Sequence, residues 1–166
     1  MKKTTVVIWA VAALTGVVMA ANAQVKPATS AVDPRVETAL REAKLGYAVD
    51  DGDFMLDYNV ADGRTQRVWV ASKTAKITTL EFRDVWSVAY RDTGQAPAEL
   101  ARRLLAENVR MVLGAWQLNQ SADEYLVVFL APIAADADAA TLQEVIEAVT
   151  LSADRMEKEL TGKNEF

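Results

Sequence analysis

The sequence predicts an α+β domain in which an antiparallel sheet of about five to six strands packs with three helices, in the order α-β-β-β-α-β-β-α. Three observations carry this expectation. Apolar residues recur with helical spacing in three separate stretches, and between these stretches they alternate with period two. Asp51-Gly52 and Asp62-Gly63 interrupt the alternating stretch where hairpin turns are needed, because Asp-Gly accepts positive φ at low cost. No cysteine is present, so burial of apolar side chains has to hold the domain together.

The first 23 residues, "MKKTTVVIWAVAALTGVVMAANA", have the form of a secretory signal peptide. Lys2 and Lys3 precede an apolar run from Val6 to Ala20, and Ala21-Asn22-Ala23 supplies an A-x-A cleavage signal. The run is shorter than the roughly 20 residues that span a bilayer. The expected product is periplasmic, or secreted, and is not stably inserted in the membrane once the signal has been cleaved. Removing 23 residues from 166 leaves 143, enough for one core and too few for two domains. With Lys2 and Lys3 lost from 18 basic residues against 23 acidic ones, the net charge moves from −5 to −7. That sign disfavours nucleic acid and anionic membrane surfaces as partners.

Residues 24–33, "QVKPATSAVD", are expected to be a flexible tether of small and polar residues, leaving 34–166 as the single domain. Asp33 is placed to cap a helix that has Pro34 at its first position and Val36, Ala39, Leu40 and Ala43 on its buried stripe, with Gly46 as its stop. From Tyr47 the period becomes two: Phe54, Leu56, Tyr58 and Val60 share one side, and Met55, Asp57 and Asn59 the other. Strands are expected at "QRVWVA" from Gln66 and across "KITTLEFRDVWSVAY" from Lys76, the latter broken or bulged near Arg83-Asp84. Pro97 opens a second helix whose apolar face is Leu100, Ala101, Leu104, Leu105, Met111 and Val112, ending at Gly114. Asn108 lies within that stripe, which predicts a structural side chain bonded to nearby backbone. "AWQLNQ" and "YLVVFLA" are expected as two more strands, the second central and covered on both faces. Asp136 or Asp138 then caps a long helix bearing Leu142, Ile146, Val149, Ala153, Met156 and Leu160, ending at Gly162.

The residue types present exclude much chemistry. Without histidine there is no Ser-His-Asp triad and no His-ligated metal, and without cysteine there is no thiol catalysis or zinc-thiolate site. The aspartates from Asp50 to Asp62 fail the EF-hand spacing: counted from Asp57, position 5 is Ala61 and position 12 is Val68, and counted from Asp51 the glycine position holds Leu56. They read as turn formers. Ser72 and Lys76 miss the S-x-x-K spacing by one residue. No residue is singled out as catalytic, cofactor-binding or metal-ligating, and no cofactor is expected. Trp86, Val88 and Tyr90 alternate along one strand face, with Trp69 and Trp116 on others. Aromatics at this spacing are read first as core and second as an apolar groove or dimer face.

Three phrases resemble the YbjN-domain family: "LGYAVDDGDFMLDY" from Leu45, "LLAENVRMVLGAWQL" from Leu104, and "LSADRMEKELTGKNEF" from Leu151. The resemblance spans nearly all of residues 34–166. It implies a fold like that of type III secretion chaperones and a non-enzymatic role, regulatory or chaperone-like, in which the domain binds another envelope protein or a second copy of itself. The family carries no established active site. Many of its members are cytoplasmic, whereas this chain bears an export signal. A small-molecule or cation sensor and a carboxylate-only hydrolase are the alternatives that the composition leaves open.

Overall fold

The computed structural model describes residues 32–166; the expected signal peptide and all but the last two residues of the expected tether lie outside the described residues. The elements are α1 (Pro34–Glu42), β1 (Ala48–Asp50), β2 (Asp53–Asn59), β3 (Thr65–Val70), β4 (Ala75–Ile77), β5 (Leu80–Thr93), α2 (Ala98–Asn108), β6 (Ala115–Gln120), β7 (Glu124–Ala134) and α3 (Ala139–Thr161). All paired strands run antiparallel in one seven-stranded sheet of order β1-β2-β3-β5-β7-β6, with β4 paired to β5 beside that path. The fold is α+β as expected. The strand count is higher because two short hairpins, β1–β2 and β4–β5, each fold out of what reads as a single strand.

The three helices pack on one side of the sheet. The core joins Val36, Ala39 and Leu40 of α1, Leu104 of α2 and Leu142, Val145, Ile146, Val149, Ala153 and Met156 of α3 to strand residues including Phe54, Val68, Val70, Val85, Val127, Phe129 and Ala131. Alternation of burial along β2 and β3 follows from one face meeting these helices and the other facing away.

Local chemistry sets the element ends. Asp33 caps α1 by accepting the Arg35 N–H, and Asp138, not Asp136, caps α3 by accepting the Thr141 N–H. Asp51 and Gly52 both take positive φ between β1 and β2, as do Asp62 and Gly63 between β2 and β3, so both Asp-Gly pairs are turns. Helix α1 stops before Gly46. Lys44 adopts φ 58°, and the Leu45 N–H reaches the Leu40 carbonyl, a Schellman closure that buries Leu45 against the core.

Helix α2 ends at Asn108 rather than at Gly114. The Asn108 side chain turns to the backbone of β6: its Oδ1 accepts the Trp116 N–H at 2.6 Å, and its Nδ2 donates to the Trp116 carbonyl at 3.1 Å. Asn108 is therefore the structural residue its stripe position implied. Leu105 and Val112 do not belong to a buried face; both are exposed, and Met111 and Val112 lie beyond the helix. Gly114 serves close approach instead. It has φ 77°, and a Cβ there would sit 2.7 Å from the Leu130 carbonyl oxygen. Asn108→Ala should lower stability by about 1–3 kcal/mol, because two backbone groups of β6 lose their partner; urea unfolding measures the loss, which Asn108→Asp should halve by restoring the acceptor alone.

Strand β5 is unbroken at Arg83-Asp84. The interruption falls earlier, at the two-residue turn Thr78-Thr79, and the bulge falls later, between Val88 and Tyr90. Arg83 stays in the ladder because its charge is answered: it is 3% exposed, and its guanidinium donates to Asp33 Oδ2 and to the carbonyls of Ala71 and Ala135. Strand β7 is interior, between β5 and β6, but helices cover only one of its faces, which corrects the expectation of cover on both.

A candidate binding face on the open side of the sheet

The strand registers align one row of side chains across six strands on the face away from the helices. Ala48, Met55, Trp69, Trp86, Leu130 and Ala115 follow one another as direct cross-strand neighbours in β1, β2, β3, β5, β7 and β6. The row contains no charge. The parallel row on the other face, Val49, Phe54, Val70, Val85 and Ala131, enters the core from Phe54 onward. Among the described residues no helix lies over the open row, and Met55, Trp69, Trp86 and Leu130 are half-buried by one another.

Trp69 and Trp86 stack with ring centroids 4.4 Å apart and planes 6° from parallel. Such cross-strand aromatic pairs stabilise a sheet and fix ring orientation. The Trp69 Nε1–H donates to Asp50 Oδ2 at 3.1 Å, which turns the indole's polar edge to the rim. Val88 and Val128 continue this face along β5 and β7 as buried residues, Leu126 is half-buried beyond them, and the Arg67–Asp57 ion pair at 2.7 Å borders the row. The first reading of the aromatics as core therefore holds for Trp116, which is buried against Phe129. It fails for Trp69 and Trp86. Tyr90, expected on the face of Trp86 and Val88, lies on the helix side, because the one-residue bulge reverses the alternation. Burial and the hydrogen bond to Asp92 push the Tyr90 phenol up to about 12.

The sheet is split beside this row. Strands β3 and β5 pair only at Trp69–Trp86 and Val70–Val85. Beyond Trp69 the two backbones are linked through side chains: Gln66 Nε2 donates to Ser87 Oγ and to the Val88 carbonyl, and Ser87 Oγ donates to the Arg67 carbonyl. Gln66 is fully buried, and its Oε1 has no hydrogen-bond partner. Over the split lies a cavity of about 490 Å³ lined by Arg67, Trp69, Val88, Arg91, Glu165 and Phe166.

Ser72 and Lys76 are not brought together as a nucleophile pair: Ser72 Oγ accepts the Asp33 N–H, and Lys76 faces Glu81 at 3.6 Å. Among the described residues no group of three acidic side chains is placed to hold a metal ion. A second apolar patch, formed by Leu105, Val109, Val112 and Leu113, is exposed around the end of α2. Sequence alternation places Trp69 and Trp86 on strands but does not say which side the helices take, and no local signal marks the split. No protein-family model matches the chain, and no curated protein matches it.

Proposed function

We propose that this chain is a non-enzymatic polypeptide-binding module of the bacterial envelope, chaperone-like or regulatory, that meets another envelope protein through the open sheet face. The observation that carries this reading is the uncharged row from Ala48 to Ala115 with the stacked Trp69–Trp86 pair at its middle. Large rigid aromatics at the centre of an apolar surface with a charged rim are the usual anchors of protein interfaces. The absence of histidine and cysteine, the signal-peptide-like sequence of residues 1–23 and the resemblance to the YbjN-domain family support the same reading.

A photoreactive residue placed at Leu130 in the full chain, expressed at native level, tests it directly. The expected result is covalent capture of a heterologous envelope protein, reduced at least about tenfold by Trp69→Ala, since an interface anchor contributes about 2 kcal/mol or more. Far-UV circular dichroism checks that the variant is folded. Capture of the chain by itself would make the face a homodimer seam in place of a heterologous interface. Capture unaffected by Trp69→Ala would overturn the role of the row.

A further inference from the structure

The split between β3 and β5 leaves two strand edges inside the sheet without a strand between them. Residues 65–68 of β3 pair with β2 alone, and residues 87–93 of β5 pair with β7 alone. Unpaired strand edges are templates for a further extended segment, and proteins manage them by covering them. Here residues 163–166 provide the cover. Gly162 ends α3 at φ 68°, and residues 163–166 then run to the free side of β3. The Lys163 carbonyl accepts from Arg64, Asn164 Oδ1 accepts the Thr65 N–H at 3.1 Å, and the Glu165 N–H donates to Glu157. Glu165 and Phe166 then wall the cavity over the split, opposite Arg67, Trp69, Val88 and Arg91.

We propose that this split is a groove for an extended stretch of a partner polypeptide carrying a carboxylate next to a large apolar side chain, and that residues 164–166 are its resident occupant, displaced when the partner binds. This rests on the polypeptide-binding reading and names the place and chemistry of recognition. Charge complementarity selects the partner. The Arg91 guanidinium makes no hydrogen bond among the described residues, its nearest carboxylate being Glu124 at 3.8 Å, and the Arg67 guanidinium uses only its Nε, on Asp57. Both guanidiniums therefore keep donors for a bidentate acceptor. The Glu165 carboxylate is held by Lys163 at 2.9 Å and does not use them. Trp69 and Val88 supply the apolar wall.

The test uses the full chain and a fluorescent peptide with the sequence of residues 161–166, Thr-Gly-Lys-Asn-Glu-Phe, read by anisotropy. In the parent chain the resident residues compete at an effective concentration on the order of millimolar. The variant Asn164→Ala/Phe166→Ala should therefore bind the peptide at least about tenfold more tightly than the parent, and Phe166→Ala alone, which keeps the Asn164 contact, should show a smaller gain. For a peptide with alanine in place of its lysine, whose glutamate is then free to reach the two guanidiniums, adding Arg91→Glu should weaken binding about tenfold. Equal affinity across these chains, or displacement of the peptide by millimolar inorganic phosphate alone, would overturn the groove. Trp69-dependent capture at Leu130 without peptide binding would remove the groove and leave the open-face reading standing; peptide binding without capture at Leu130 would do the reverse.

Discussion

Asp33→Ala should destabilise the fold by about 3–5 kcal/mol, a large share of the 5–15 kcal/mol that typically separates folded from unfolded chains. The cost comes from Arg83, which is left charged and buried. Its guanidinium ties three distant pieces of chain, the cap of α1 at Asp33, the end of β3 at Ala71 and the turn after β7 at Ala135. The two carbonyls remain in the variant, but the only carboxylate bonded to Arg83 among the described residues is gone. The substitution also removes the helix cap, which accepts the Arg35 N–H. Urea unfolding measures the loss. A double-mutant cycle with Arg83→Met should recover much of it, because removing both charges leaves no uncompensated ion.

Acid should erase the difference between Asp33→Ala and the parent. The hydrogen bond from Arg35, helped by Arg83, holds the Asp33 carboxyl well below the usual carboxylate range against the opposing effect of burial. A depressed folded pKa means that the contribution is present above the ordinary value of 3.8 and is lost as pH falls from there towards the folded value. Arg35 likewise bridges to Glu81, which its hydrogen bond, with that of Thr74, brings down to about 2, so the same window weakens both partners. Unfolding midpoints of parent and variant measured down the acid range should converge.

The elements of this fold were legible wherever the information was local. The helical stripes, the Asp33 cap, the two Asp-Gly turns and the backbone-bonding Asn108 each follow from a few adjacent residues. Misreadings arose where a distant contact decided. Lys44 rather than Gly46 ends α1, because Leu45 gains a place in the core that outweighs the strain of a left-handed lysine. Gly114 looks like a helix stop but answers to the β7 backbone. One extra residue between Val88 and Tyr90 sends Tyr90 to the other side of the sheet, and period two carries no marker for that reversal. The candidate face was half legible for the same reason. The alternation groups Trp69 with Arg67 and Trp86 with Val88, but which face α3 covers depends on the whole topology. The split was not legible at all, since Gln66 and Ser87 are ordinary strand residues until the backbones part.

Arg64→Met should carry the second large cost, again about 3–5 kcal/mol, and the cost should grow with pH. Arg64 gathers the end of α3 and the residues beyond it. Its Nε donates to Asp154 at 2.5 Å, its Nη2 to Glu157 at 3.1 Å, and its Nη1 to the Lys163 carbonyl. Glu157 is 0% exposed, and burial raises its carboxyl pKa, while the Glu165 N–H and the Arg64 charge pull it down. Without Arg64 that pKa rises further. The folded chain then holds a proton that the unfolded chain, at the ordinary 4.5, has released, so stability falls as pH climbs from 4.5 through the raised value. The loss relative to the parent should therefore be smaller at about pH 5 than at about pH 8, because a protonated Glu157 no longer needs a cation. Adding Glu157→Gln should flatten that slope, and a slope that survives it would overturn the role of Glu157. Since Arg64 also anchors the Lys163 carbonyl, the same variant loosens residues 163–166, and its affinity for the residue 161–166 peptide should rise at both pH values. Stability and groove occupancy would then respond to one side chain with different pH dependences, which separates the electrostatic role of Arg64 from its role in holding residues 163–166 over the split.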